Sequence, residues 1–152
     1  MSVQRIEEEL AARLVAKLKD TGLVATVYTA GEYAQVEEQS QVHPAAAVIY
    51  NGYRAGDEVG QGIQQAVEFE FLVVLVTRNA SDFATGGGAR DDVSPIFDAL
   101  LPAVIGWRPP IEGAGFPSPF RLAQASGAQV SDAGFAYWPV AFTIRRSYRG
   151  SN

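Results

Sequence analysis

The sequence predicts an α+β fold, a single mixed or antiparallel β-sheet with two main helices on one face, in the order α-β-β-β-α-β-β. Two segments carry apolar residues at helical spacing, and several others have the alternating or continuous apolar character of strands. The length of 152 residues suits one domain over residues 1–152. We therefore expect one hydrophobic core between the sheet and a layer of two helices.

The first predicted helix carries one apolar stripe, formed by Ile6, Leu10, Leu14 and Leu18. Ser2 can cap its start, and Gly22 suits its end. A strand from Leu23 to Tyr28 should follow. The polar segment from Thr29 to Pro44 predicts a loop, or a weak edge strand around Tyr33 to Val36.

The next strand is predicted from Ala45 to Tyr53, with a possible turn at Asn51-Gly52, followed by a surface loop in RAGDEVGQGI. The strongest strand pattern runs from Gln65 to Thr77. One of its faces is apolar throughout, whereas the other changes along the strand from Glu68 and Glu70 to valine and leucine. Such a strand either extends beyond its domain or pairs there with another subunit.

The glycine-rich stretch after this strand predicts a mobile loop from Ala80 to Arg90. The second helix then has apolar residues at helical spacing, namely Val93, Phe97, Leu100 and Val104. Pro102 should kink this helix or end it near Leu101. The last strands are expected at Phe120 to Ala125 and Ala136 to Tyr148, and Pro139 suggests that the second of these begins at a sheet edge.

The composition excludes several classes of function. The absence of cysteine excludes disulfides, thiolate metal sites and cysteine nucleophiles, and the net charge of −5 argues against broad binding of nucleic acid. The first twenty residues do not resemble a secretory signal, and the longest apolar run, Phe71 to Val76, is too short to cross a membrane. We expect a cytoplasmic protein without membrane contact.

No catalytic motif emerges, so we expect a protein that is not an enzyme and has no cofactor. His43 has no neighbouring ligand for a metal, and neither a nucleophile elbow nor a phosphate-binding loop is present. Glu68 and Glu70 could form a carboxylate pair, but a solvated strand face explains them better. A basic C-terminus of Arg145, Arg146 and Arg149 suits either contact with an acidic protein partner or a solvated strand end.

Four segments together resemble the tail terminator proteins of Mu-like and other long-tailed bacteriophages. They are IEEELAARLVAKL, FEFLVVLVTRN, IFDALLPAVIGWRPP and YWPVAFTIRRSYR. The most specific parts are the Arg78-Asn79 ending and the sequence Gly106-Trp107-Arg108-Pro109. The resemblance implies a structural protein of the virion tail, assembled in the host cytoplasm. Such a protein forms a ring, usually a hexamer, on the tail tube, stops its polymerisation and offers a surface to a neck or head-completion protein.

The resemblance also suggests roles for particular residues. DNA should pass through the ring without specific binding, and we expect an acidic lumen formed by some of Asp57, Glu58, Glu68 and Glu70. The loop with Gly86, Gly87, Gly88 and Arg90 should become ordered against a partner ring. The subunit interface should include Val67, Phe69 and Phe71.

Two alternatives remain at this point. The nearer one is another phage neck or head-tail joining protein. The more distant one is a small-ligand-binding module or enzyme subunit, which would need a closed pocket lined by Trp107, Trp138 and polar groups.

Overall fold

The computed structural model describes residues 3–36, 42–78, 87–111, 117–131 and 133–151, and for residues 87–92 it describes the backbone alone. The elements are helix α1 (Val3–Leu14) with a π-helical turn (Val15–Lys19), strand β1 (Thr26–Thr29), helix α2 (Ala30–Ala34), strands β2 (Ala45–Val59) and β3 (Gln64–Arg78), helix α3 (Gly87–Val104), and strands β4 (Arg121–Ala125), β5 (Gln129–Val130) and β6 (Phe135–Arg149). The predicted α+β class is confirmed.

The strands form one mixed sheet in the order β1-β2-β3-β6-β4, and β5 pairs with β6. Strand β1 runs parallel to β2, and the other pairs are antiparallel. Strands β2, β3 and β6 have 15 residues each. At the usual rise per residue each is about 50 Å long. These three strands therefore form the centre of the sheet.

The main core lies between the sheet and the two long helices, which cover one face as predicted. The α1 stripe of Ile6, Leu10 and Leu14 is buried together with Phe71 and Phe142 of the sheet. Burial of each such side chain contributes roughly 1.5–3 kcal/mol. A smaller cluster on the opposite face consists of Ala45, Ala47, Val74, Val76 and Phe135, with Tyr28 and Tyr33 packed against it.

Helix α2 replaces the predicted loop or edge strand around Tyr33. The Glu32 carboxylate accepts hydrogen bonds from the Thr29 backbone N–H at 3.2 Å and from the Thr29 hydroxyl at 2.8 Å. Threonine followed three residues later by glutamate is a helix-start signal, and it outweighs the polar composition here. Residues 37–41 of the same predicted segment lie outside the described residues.

Strand β2 continues through Asn51-Gly52, so the predicted turn and the predicted loop over Arg54 to Val59 are wrong. The pairing with β3 shifts its register twice, between Tyr50 and Tyr53 and between Ala55 and Glu58, and these bulges allow the strand to continue through the glycine-containing segment. Gly52 takes a φ of 102°, which favours glycine at the first shift. The chain reverses instead at residues 60–63. Hydrogen bonding to β3, rather than local propensity, makes this segment a strand.

Helix α3 differs from the prediction at both ends. Gly87, Gly88 and Arg90 already belong to the helix, whereas Gly86 and the rest of the predicted loop from Ala80 lie outside the described residues. At its other end the helix continues past Pro102 to Val104. Asp98, four residues before Pro102, and Pro102 itself are exposed, so water can satisfy the carbonyl that the proline leaves free.

Pro139 lies in an interior strand, contrary to the prediction of an edge, because β6 pairs with β3 on one side and with β4 and β5 on the other. The Pro139 carbonyl accepts a hydrogen bond from the Ser126 N–H at 3.1 Å. In an antiparallel strand the nitrogen of the same residue points to the same side. On that side, Pro139 lies in the gap between the pairing with β4 and the pairing with β5. The proline nitrogen, which has no hydrogen, therefore removes no hydrogen bond between strands.

Candidate functional site

The three long strands extend beyond the part of the sheet that the helices cover. We call this extension the arm; it comprises residues 51–59 of β2, 64–70 of β3 and 145–149 of β6. Whereas Ala45 to Val48 are fully buried, residues 53–59 are all exposed. The register pairs Gln64 with Arg149, so β6 follows the hairpin almost to its tip. The arm therefore offers two sheet faces and two edges to other molecules.

On the face that also carries the helices, the arm has an apolar patch of Tyr53, Val67, Phe69 and Tyr148. The Phe69 ring lies 6.3 Å from the Tyr53 ring and 6.4 Å from the Tyr148 ring, between centroids. Tyr53 is 70% exposed and Tyr148 is 41% exposed. Burial raises the pKa of the adjacent Tyr50, and the Tyr53 and Tyr148 hydroxyls add to this shift. The patch is an aromatic surface of the kind that proteins use for contacts.

On the opposite face, a polar network crosses three strands. The Glu68 carboxylate accepts a hydrogen bond from Arg54 at 2.8 Å on one side and from Arg145 at 3.4 Å on the other. The bond from Arg54 is the largest cause that holds the pKa of Glu68 below its usual value, and Arg145 adds to it. Asn51 donates a hydrogen bond to Glu70 on the same face. The glutamates are thus accompanied by donors, and this face is not an acidic surface.

Beside this network lies a small depression of about 90 Å³, which we call the arginine niche, lined by Glu68, Ser118, Arg121, Thr143 and Arg145. The Arg145 N–H donates to the Ser118 hydroxyl at 2.9 Å, and the Ser118 N–H donates to the Arg145 carbonyl at 2.7 Å. Arg121 is exposed, and its side chain has no hydrogen bond or ion pair with any described residue. Two guanidinium groups beside hydroxyl groups form a site that suits a carboxylate or phosphate.

The predicted site residues fall on both faces of the arm. Of the four acidic residues, Glu68 and Glu70 share the polar face, whereas Glu58 pairs with Gln65 on the face of the patch, and Asp57 lies at the second register shift. Whether any of them faces a lumen stays a prediction.

The three C-terminal arginines divide in the same way. Arg145 and Arg149 alternate onto the polar face, and the Arg146 guanidinium lies 4.5 Å from the centre of the Tyr148 ring on the other. A contact of these arginines with an acidic partner stays a prediction.

The residues predicted for the subunit interface differ in exposure, and their contact with a neighbouring subunit stays a prediction. Phe71 is fully buried in the core of its own subunit and Phe69 is 6% exposed, which leaves Val67 as the partly exposed member. Tyr53 and Tyr148, which sequence reasoning did not single out, supply most of the exposed aromatic surface. Their only signal in the sequence is their position at the ends of strands with apolar alternation. The prediction for Gly86, Gly87, Gly88 and Arg90 stays a prediction.

The sequence Gly106-Trp107-Arg108-Pro109 has a structural role at the end of α3. The Gly106 N–H donates to the Phe120 carbonyl and the Phe120 N–H donates to the Trp107 carbonyl, both at 2.9 Å. The Trp107 ring stacks on Phe120, and Arg13 of α1 lies 5.3 Å from its centre. Trp138 donates to the Thr77 hydroxyl at 3.1 Å in the core. Both tryptophans therefore serve packing.

The described residues contain no group of three or more side chains suited to a metal ion. Within the same parts of the chain, no helix combines the length and apolar character that crossing a membrane requires.

Comparison with known proteins identifies one family. The sequence model described as phage tail terminator protein matches residues 5–151. Among curated protein sequences, none matches the chain. A chain from the virion of a native gene transfer agent particle shares 18% identity, with 91% of this chain and 84% of that chain covered and a TM-score of 0.48. A second solved structure shares 16% identity over 99% of both chains, with a TM-score of 0.52, so the fold occurs in a protein of similar length.

Proposed function

Because the chain belongs to the phage tail terminator family, it is a structural protein of bacteriophage tails, and we propose that it forms a closed ring on the tail tube. The ring stops polymerisation of the tube and provides the surface to which the head attaches. The family match over nearly the whole chain carries this proposal. We further propose a hexamer, assembled in the host cytoplasm, that carries out no chemical reaction.

The open edges of the arm support ring formation. Strand β1 pairs only with Ala45 to Val48 of β2, and β4 and β5 pair only within residues 136–143 of β6. Along the arm, the described residues therefore supply no strand partner for the outer edge of β2, nor for that of β6 beyond Arg145, which is bonded to Ser118. Unpaired edges are templates for contact with another chain. A contact between two different edges repeats around an axis and closes into a ring when the rotation allows it.

The apolar patch supports the same proposal. Tyrosine and phenylalanine are enriched where protein surfaces meet, and an exposed aromatic cluster beside an open edge is unusual on an isolated subunit. We propose that Val67 and Phe69, with Tyr53 and Tyr148, contact the neighbouring subunit. The remaining partners are the tail tube protein and a neck or head-completion protein, and DNA passes through the ring without specific binding.

A phage that lacks this gene provides the test. Negative-stain microscopy should show overlong tails without heads, and the intact gene supplied in trans should restore normal length. The protein mixed with tail tubes should add a particle of about six copies of the 16.3 kDa chain to the tube end. Normal-length tails without heads would instead indicate a head-completion protein, and normal virions would contradict both roles.

A further inference from the structure

The tip region of the arm carries two carboxylates that have no partner among the described residues. Asp57 and Glu58 are exposed on β2, and neither side chain has a hydrogen bond or ion pair with any described residue. They lie at the register shift between Ala55 and Glu58. A bulge of this kind redirects side chains away from the regular pleat. The two carboxylates are therefore available to a partner at the outer edge of β2.

The arginine niche has the opposite imbalance. Two arginines, Arg121 and Arg145, line the niche together with the single carboxylate of Glu68. Beside it on the same face lie Arg54 and Glu70, so three arginines accompany two carboxylates. Arg121 has no partner among the described residues. Positive charge is therefore in excess at this place, although the chain as a whole has a net charge of −5. A carboxylate from outside the subunit would restore the balance.

The two groups lie toward opposite edges of the sheet and cannot pair within one subunit. Between β2, which carries Asp57 and Glu58, and β4, which carries Arg121, lie β3 and β6. Three strand spacings separate β2 from β4 by roughly 14 Å. In a ring with a head-to-tail contact, however, the β2 side of one subunit faces the β4 side of the next. Such an arrangement brings Asp57 and Glu58 to the niche in which arginines outnumber carboxylates.

We propose that Asp57 and Glu58 of one subunit bind Arg121 and Arg145 in the arginine niche of the next subunit. This inference rests on the proposed ring. The planar guanidinium group of arginine binds a carboxylate through two parallel hydrogen bonds, so the pairing fixes orientation as well as proximity. The Ser118 and Thr143 hydroxyls border the same depression. In this contact between neighbouring subunits, the ion pairs fix the alignment of the two chains, and burial of the apolar patch contributes most of the stabilisation.

Charge reversal on each side, separately and together, tests the pairing. Arg121→Glu, and Asp57→Lys with Glu58→Lys, should each weaken ring assembly on tail tubes roughly tenfold or more, because like charges then face each other. All three substitutions in one chain should restore much of the assembly. The matched control is Arg108→Glu, an exposed arginine outside the arm without a described partner, which should assemble as the wild type does.

Assembly is measured by native mass spectrometry of the full chain with tail tubes, and circular dichroism checks that each variant is folded. If the wild type forms no ring, the proposed function fails. If wild-type rings form and either reversal leaves them unchanged, or the combined variant is not restored, this inference is overturned while the proposed function stands. A third outcome is that Arg121→Glu rings are intact but no longer bind a DNA duplex. The niche would then be a phosphate site, and the inference of an ion pair between subunits would be overturned as well.

Discussion

Glu68 shows how a single side chain connects the strands of the arm. Its carboxylate accepts hydrogen bonds from Arg54 on β2 and Arg145 on β6, so it links both neighbours of β3. Both arginine side chains are more than half exposed, and water therefore screens the attraction. We expect a modest contribution to stability and a larger one to the alignment of the three strands.

The substitution Glu68→Gln should lower the free energy of unfolding by roughly 0.5–1 kcal/mol at neutral pH. Because the folded state lowers the pKa of Glu68, its stabilisation is complete above the unfolded-state pKa of about 4.3 and is lost as pH falls through the folded pKa. The difference between wild type and variant should therefore shrink toward zero as acid protonates Glu68 in the folded state. Urea unfolding at neutral and at acidic pH measures it.

The control for this experiment is Asp98→Asn, which removes an exposed carboxylate of α3 that has no described partner. Its effect on stability should be small at neutral pH. A Glu68→Gln difference that stays the same from neutral to acidic pH would show that the charge of Glu68 contributes nothing through these arginines.

At the scale of elements, the end of α3 depends on the backbone of one glycine. Gly106 has a φ of 79°, and a Cβ atom added there would meet no atom within 4 Å. Its N–H donates to the Phe120 carbonyl and thereby attaches the helix end to the segment before β4. The requirement for glycine is therefore conformational and not steric.

Gly106→Ala should destabilise the protein by about 1 kcal/mol, because alanine is strained at this φ. The measurement is the urea midpoint, with an unchanged slope. Gly127→Ala is the matched control, since Gly127 also has open space around it but no positive φ, and it should be neutral or slightly stabilising. Equal effects of the two substitutions would contradict the conformational explanation.

The elements that could be predicted from sequence are those whose pattern is local and regular. The stripe of α1 and the alternation of β3 and β6 each repeat within one segment, so burial follows directly from spacing. The outer half of β2 contains glycines and charges and is a strand only because β3 pairs with it. Pairing between distant segments does not appear in a local pattern.

The same limit applies to the site. The carboxylate of Glu68 is visible in the sequence, but its partners lie 14 and 77 residues away along the chain. In the sequence, Arg121 is a single basic residue within a short predicted strand. Its significance depends on the sheet order, which places it next to Arg145. Sequence patterns could predict the acidic and basic residues of the arm, but not the pairing between them.

At the scale of the whole molecule, the structure separates a stable body from an exposed extension. Helices α1 and α3 bury one face over the inner halves of the long strands, which gives the body a core of its own. The arm adds little to that core and exposes aromatic side chains on one face and arginines on the other. Substitutions on the arm should therefore affect assembly much more than folding.

Tyr53→Asp tests this separation. Tyr53 is 70% exposed, so the isolated chain should lose less than about 1 kcal/mol of stability. Assembly should weaken roughly tenfold or more, because the new carboxylate would be buried against the neighbour's surface without a partner.

Val130→Asp provides the control for this experiment. Val130 is 46% exposed on β5, and its pairing with Ala136 places it at the opposite end of β6 from the arm. Thermal unfolding measures the first quantity, and native mass spectrometry with tail tubes measures the second. Unimpaired rings with Tyr53→Asp, or equal losses in both variants, would show that the aromatic patch does not form the subunit contact.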